Sequence, residues 1–144
     1  ALWDMVWRPA NALRACDEAR RERYLLPGIR GERRDCVAVT ERDAGSDPSA
    51  IATTAERAGD GFVINGEKWF VTVGDVADYM IVLANVLPER EPTLFLIDKD
   101  SPGVEVLRTR ATCTRSSTST RSSASATCAW GRTPCSAGSA RATS

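Results

Sequence analysis

Histidine is absent from the 144 residues, and with it go the Ser-His and Cys-His nucleophile pairs and every His-ligated zinc site. Net charge is absent too. The 19 Lys+Arg balance 19 Asp+Glu, so no overall field draws the chain to nucleic acid or to an anionic membrane surface. No run approaches the roughly 18 apolar residues that a membrane-spanning helix needs. The opening Ala1-Leu2-Trp3-Asp4 lacks the basic-then-apolar order of a secretory signal. The expected location is cytoplasmic, with neither nucleic acid nor membrane as partner. The five cysteines are unpatterned: Cys16 lies in a helical pattern, Cys36 in a strand pattern, and the other three lack paired C-x-x-C spacing. Neither a disulfide framework nor a metal site is expected.

What is present divides into two compositions. Residues 1–112 hold all 19 acidic groups and fifteen of the 19 basic ones, a net of 15 − 19 = −4, while residues 113–144 hold four arginines and no acid. The apolar content, 42%, supports one modest core. The chain starts without methionine, directly in an aromatic, helix-like segment, which leads us to expect that the beginning of a longer domain precedes it. Three segments are expected: a helical remnant over 1–34, a β-domain over 35–112, and a structureless tail over 113–144.

Pro9 suits a first helical turn, and Leu13, Cys16 and Arg20, set among Asp17, Glu18, Arg21 and Glu22, give an amphipathic helix to about Tyr24 that Pro27-Gly28 ends. From Asp35 the period falls to two, and turn residues cut the chain into short pieces, the pattern of an antiparallel sheet or barrel. Cys36 to Thr40 is a short β-rich run, Ile51 to Ala58 alternates, Gly59-Asp60-Gly61 turns, and Phe62 to Ile64 is apolar. Asn65-Gly66 is the strongest two-residue hairpin signal, with Lys68 to Val73 returning. Tyr79 to Leu87 reads as a strand buried on both faces. Thr93 to Ile97 follows, then a turn at Asp100-Ser101-Pro102-Gly103, then Val104 to Leu107.

Two stretches carry chemistry. Val37 to Asp47 runs from a strand into a turn of small and hydroxyl residues, which offers backbone N–H and Ser/Thr donors to ligand oxygens. Alone, such a loop is more often an ordinary turn. The second stretch places Trp69 and Phe70 side by side before Val71 and Thr72. Neighbours on a strand face opposite ways, so these aromatics cannot both be core, and one is expected to face a ligand or partner.

Together these stretches resemble the middle β-domain of the acyl-CoA dehydrogenase family. They offer Thr40-Glu41 with Ala44-Gly45-Ser46-Asp47, Thr54-Ala55, Gly59 through Lys68, Phe70-Val71-Thr72 and Ala77-Asp78-Tyr79, in the family's order. The likeness covers about residues 13–112, since Arg23 to Pro27 and Gly31-Glu32 also look like the family's helix-to-barrel connection. It implies a mainly β fold with an N-terminal helix and a partial antiparallel β-barrel, ahead of a C-terminal tail that its composition marks as disordered. The implied activity is oxidation of an acyl-CoA thioester to its 2,3-enoyl form, with FAD as cofactor and a separate electron-transfer acceptor.

By the same resemblance Val37, Ala38, Val39, Thr40, Gly45 and Ser46 line the flavin, with Thr40 hydrogen-bonding the ring and Ser46 also near the substrate's thioester tail. Phe70, Val71 and Thr72 form the opposing wall. Arg42 stands where the family usually has proline. The resemblance further implies an N-terminal helical domain and a C-terminal four-helix domain. The latter carries the glutamate that takes the α-proton and most contacts of the homo-oligomer. No catalytic residue is therefore expected in this chain, Glu41 included, and by itself it is expected to be inactive. The rival expectation is a stand-alone β-domain serving as a non-catalytic binding module.

The tail, Cys113 to Ser144, holds nine Ser, six Thr, six Ala and four Arg but no Leu, Ile, Val, Met, Phe or Tyr. Such a segment cannot bury enough apolar surface to offset its ordering entropy. Its composition is that of GC-rich DNA read out of frame. Loss of one base ahead of Cys113 is compatible with a displaced frame that reads D-V-R-V followed by L-G-x-x-G, as the family does at this point.

Overall fold

Tyr79–Val86 is a strand buried on both faces, because both are apolar. In the computed structural model, which describes residues 9–59, 61–110, 125–136 and 140–141, Met80, Val82 and Ala84 enter one core cluster while Tyr79 and Ile81 enter a second one beneath the N-terminal helix. The strands are β1 (Asp35–Ala38), β2 (Thr54–Ala58), β3 (Gly61–Thr72), β4 (Tyr79–Val86), β5 (Glu91–Asp98), β6 (Val104–Arg110), β7 (Ser125–Ser136) and β8 (Ala140–Arg141). They form one open sheet in the order β6-β7-β3-β2-β4-β5-β8, with β1 beside β4. Most pairs are antiparallel, as expected. The exceptions are β1 and β2, which lie end to end along β4 and parallel to it, pairing with Tyr79–Val82 and with Asn85–Val86. The connection between them, residues 39–53, carries the candidate loop.

The helical segment runs further than Pro27-Gly28 led us to expect. A 3-10 turn over Asn11–Ala15 breaks at Cys16. The helix then restarts with Asp17 as N-cap, its carboxylate accepting from the Arg20 amide at 2.9 Å. It continues as Glu18–Arg20, a π-helical turn Arg21–Leu25, and Leu26–Ile29. Proline lacks an N–H, and the wider turn just before Pro27 absorbs the missing bond, so the helix runs on to Ile29 instead. Tyr24 anchors it to the sheet, its ring 4.8 Å from that of Tyr79. The Arg33 guanidinium lies over both rings and bonds Asp98 at 2.6 Å.

Asn65-Gly66 is not a turn. The β2–β3 hairpin closes earlier, between Ala58 and Gly61, with Gly59 at φ 58. Asn65 sits mid-strand, paired with Thr54 on β2, and the β3–β7 ladder shifts register between Ile64 and Gly66. Gly66 is needed for close approach: a Cβ there would stand 2.7 Å from both Cβ and Cγ2 of Thr53, and closer still to its Oγ1. A second register shift, between Lys68 and Val71, accompanies Phe70 at φ 54. That bulge breaks the alternation on which the expectation for Trp69 and Phe70 rested. Lys68 and Val71 point inward, and both aromatics lie off the core face with ring centroids 5.9 Å apart.

The tail departs from expectation over Ser125–Ser136, where the structure has a strand that pairs antiparallel with both β3 and β6. Ala140–Arg141 adds a short pairing to β5. Ladder bonds are made by backbone N–H and C=O groups, so a segment without Leu, Ile or Val can complete an open edge. The rest of the expected disorder, at 113–124, 137–139 and 142–144, lies outside the described residues.

Candidate functional site

Two backbone excursions build the site. After β1 the chain leaves the sheet at Val39, and a turn closed by the Glu41 amide bonding the Ala44 carbonyl at 2.9 Å presents Thr40 to Ser46. Across from it, the end of β3 presents Phe70 to Thr72. The two meet where the Trp69 amide donates to the Thr40 carbonyl at 2.8 Å. The stretches singled out in the sequence are therefore neighbours in space.

The side chains sort by orientation. Val37 is 50% exposed and Phe70 56% exposed, large apolar surfaces left open beside one another's segments. Thr72, Gly45 and Ser46 are exposed, while Val39 and Thr40 are half-buried. Ala38 and Val71 turn their side chains into the core, so what they offer is backbone. Among the described residues, the hydroxyls of Thr40, Ser46 and Thr72 have no hydrogen-bond partner. Phe70 (φ 54) and Val73 (φ 56) both hold the left-handed conformation at the ends of the second wall. For side chains of this size that conformation costs on the order of 1–3 kcal/mol and persists where the surroundings impose it, often at functional sites. An apolar ring face, a branched aliphatic and unpaired hydroxyls suit a planar heteroaromatic group edged with oxygens and nitrogens, which is what a flavin presents.

Beneath this surface lies a charged pair whose partnership the sequence reading missed. Lys68 is fully buried, and its Nζ donates to Glu41 Oε1 at 2.7 Å and to the Val39 carbonyl at 3.1 Å. Glu41 also accepts from the amides of Ala52 (2.6 Å) and Thr53 (3.1 Å) and from the Thr53 hydroxyl. Burial alone would raise the Glu41 carboxyl. The bonds from Lys68, Thr53 and the two amides outweigh it and hold the group below its ordinary value. Burial pushes the Lys68 ammonium down, against the bond and charge of Glu41. A signal was available: Phe62, Ile64 and Lys68 share one parity on β3, and a lysine on a core-facing row demands a carboxylate.

Arg42, which stands where the family usually has proline, places its guanidinium 5.6 Å from the Trp69 ring centroid. Arg42 and Trp69 line an open cleft of about 220 Å³ together with Asp43 and Glu67. That volume is below the roughly 300 Å³ at which small-molecule pockets begin, and neither Phe70 nor Thr72 lines it. The exposed walls are the candidate surface. Among the described residues no cluster of His, Cys, Asp and Glu could hold a metal ion, and no helix is long and apolar enough to cross a membrane.

Residues 36–124 match the family model described as acyl-CoA dehydrogenase, middle domain. Benzylmalonyl-CoA dehydrogenase of Aromatoleum aromaticum is 46% identical over 87 residues, covering 60% of this chain and 23% of that protein. Among solved structures, a probable acyl-CoA dehydrogenase of Mycobacterium abscessus aligns with a TM-score of 0.78 at 32% identity, covering 88% of this chain and 33% of its own. A glutaryl-CoA dehydrogenase of Mycobacterium smegmatis in complex with FADH2 aligns at 0.72 with 27% identity, covering 85% and 30%. The chain thus spans about a quarter to a third of the length of these relatives. Its open, mostly antiparallel sheet with a short N-terminal helix matches their middle domain, and the match of the family model over more than half of its residues places the chain in the acyl-CoA dehydrogenase family.

Proposed function

We propose that the chain is the flavin-contacting middle portion of an FAD-dependent acyl-CoA dehydrogenase, consisting of a helical segment (1–34), the β-domain (35–112) and a tail (113–144) read out of frame. The observation that carries this is the Trp69–Thr40 backbone bond at 2.8 Å. It sets two motif segments side by side, with Phe70 more than half exposed, Val37 half exposed and, among the described residues, no partner for the hydroxyls of Thr40 and Thr72. In this reading the Thr40 and Thr72 hydroxyls satisfy ring oxygens and nitrogens of the isoalloxazine that would otherwise be buried without partners. Phe70 covers one face of the ring, the backbones of Ala38 and Val71 approach its edge, and Gly45 leaves room for that approach. Ser46, exposed at the loop's outer end, bonds toward the flavin and the thioester end of an acyl-CoA substrate.

Flavin bound there supplies the two-electron acceptor for α,β-dehydrogenation. The chain's own part is orientation and exclusion of water, and no residue here takes the α-proton. Glu41 is committed to Lys68 and three further donors, and its depressed pKa is the opposite of what a general base for a weakly acidic C–H needs. The base, an electron-transferring acceptor, the homo-oligomer and a cytoplasmic setting in fatty-acid metabolism belong to the intact family member.

The test is a titration of the 144-residue chain with FAD, followed by flavin fluorescence and absorbance. Weak binding, micromolar or looser, is expected. Loss of one neutral hydrogen bond is worth about 1 kcal/mol, so Thr40→Val and Thr72→Val should each weaken it about fivefold. Submicromolar affinity insensitive to both substitutions would contradict the site, and an absence of any flavin signal would leave a non-catalytic interaction domain.

A further inference from the structure

We propose that Lys68 is the positioning residue that joins the two walls of the flavin site, its buried ammonium holding the Val39 carbonyl and the Glu41 carboxylate so that Thr40, between them, is fixed against Phe70 to Thr72. This rests on the flavin reading above. Lys68 lies on β3 two residues before Phe70, and its Nζ reaches across to residues on either side of Thr40. The Trp69 amide grips the Thr40 carbonyl itself, so residues 68–69 hold three consecutive loop residues. Glu41 then carries the tie onward to Ala52 and Thr53 at the entry to β2.

Stability alone does not account for such a pair. Replacing a buried ion pair by apolar residues of like volume is often neutral or stabilising, since desolvation consumes what the attraction returns. What an apolar pair cannot do is hold a carbonyl and a carboxylate of one loop at fixed positions relative to one strand. The two left-handed residues that follow, Phe70 and Val73, also need a strand held rigidly before them.

The experiment compares the chain with its double variant Glu41→Gln/Lys68→Met, which removes both charges and leaves no buried ion unpaired. Amide hydrogen exchange is read without FAD. Exchange of the 39–44 segment is expected to quicken at least tenfold while the β4 and β5 amides keep their protection. With FAD, affinity should fall at least tenfold, and at saturation the visible band of the bound flavin should move toward that of free FAD. Neither flavin readout responds to a purely structural pair. Unchanged exchange at 39–44, or unchanged affinity and spectrum, overturns the proposal. If the wild-type chain binds no FAD, the flavin reading fails separately, and the exchange comparison alone decides whether Lys68 positions the loop. Should the double variant lose protection throughout, Glu41→Gln/Lys68→Leu, which likewise leaves no buried ion unpaired, carries the same comparison.

Discussion

Gly66→Ala probes the register of the longest strand within the described core and the support of the site at once. The added methyl would meet Thr53 Cβ and Cγ2 at 2.7 Å and its Oγ1 closer still. Thr53 is 1% exposed and cannot swing into solvent. Overpacking of this kind costs about 1–3 kcal/mol. Displacing the Thr53 hydroxyl from the Glu41 carboxylate loses a bond to a charged group, about 1.5–3 kcal/mol more. The sum, about 2.5–6 kcal/mol, is a large share of the stability of a small domain. It corresponds to a fall in Tm on the order of 10 °C or more.

Urea unfolding followed by tryptophan fluorescence measures it. If Asn65-Gly66 were a hairpin turn, alanine would also destabilise, through backbone strain at Gly66, but independently of Thr53. The discriminating quantity is therefore the coupling with Thr53→Ala, which removes two of the three nearest atoms. The double variant should be at least about 1 kcal/mol more stable than the sum of the single effects. Additivity within about 0.5 kcal/mol, the usual finding for independent sites, would refute the close-approach explanation.

Acid stability carries the signature of Glu41. Its folded-state pKa is depressed, so its contribution is present above the ordinary value of 4.5 and is lost as pH falls through the folded-state value, with a slope of up to ~1.4 kcal/mol per pH unit. Urea midpoints of the wild type and Glu41→Gln/Lys68→Met, compared from pH 6 to pH 3, should show a steeper decline in the wild type, and parallel declines would contradict the assignment. The 144-residue chain should give no acyl-CoA oxidation with an artificial electron acceptor, because a general base contributes about 10²–10⁴ in rate and none is presented. Turnover above a denatured control would refute that. Restoring one base ahead of the Cys113 codon should replace the tail with a sequence that carries D-V-R-V followed by L-G-x-x-G, whereas an early stop in that frame, or a product without those motifs, would refute the frameshift.

The parts legible in sequence were those set by one face or one motif. The run Tyr79 to Leu87 announced itself because an almost unbroken apolar run needs cover on both sides, and the strand Tyr79–Val86 has two core clusters to supply it. The loop from Thr40 to Ser46 and the segment from Phe70 to Thr72 were found by motif, and the bonds of Lys68 and Trp69 to residues 39–41 bring them together. What failed was punctuation. Asn65-Gly66 and Pro27-Gly28 have turn chemistry, yet Gly66 serves the approach of Thr53, and Pro27 is absorbed by a π-helical turn. Both outcomes depend on residues packed from elsewhere in the chain or on a shifted hydrogen-bond register, which local propensity does not encode. The bulge at Phe70 likewise hid the shared side of Trp69 and Phe70. The strand at Ser125–Ser136 follows from edges offered by β3 and β6 and not from its own composition.

The most direct test of the central claim is residue-resolved: a ¹⁵N-labelled chain titrated with FAD and followed by amide chemical shifts. The account predicts that the largest changes fall on Val37 to Thr40, Gly45, Ser46 and Phe70 to Thr72, with the Glu56–Arg57 edge of β2 and the Arg42–Trp69 cleft little affected. Changes centred on that cleft or on the helix over 18–29, with the two walls silent, would contradict it.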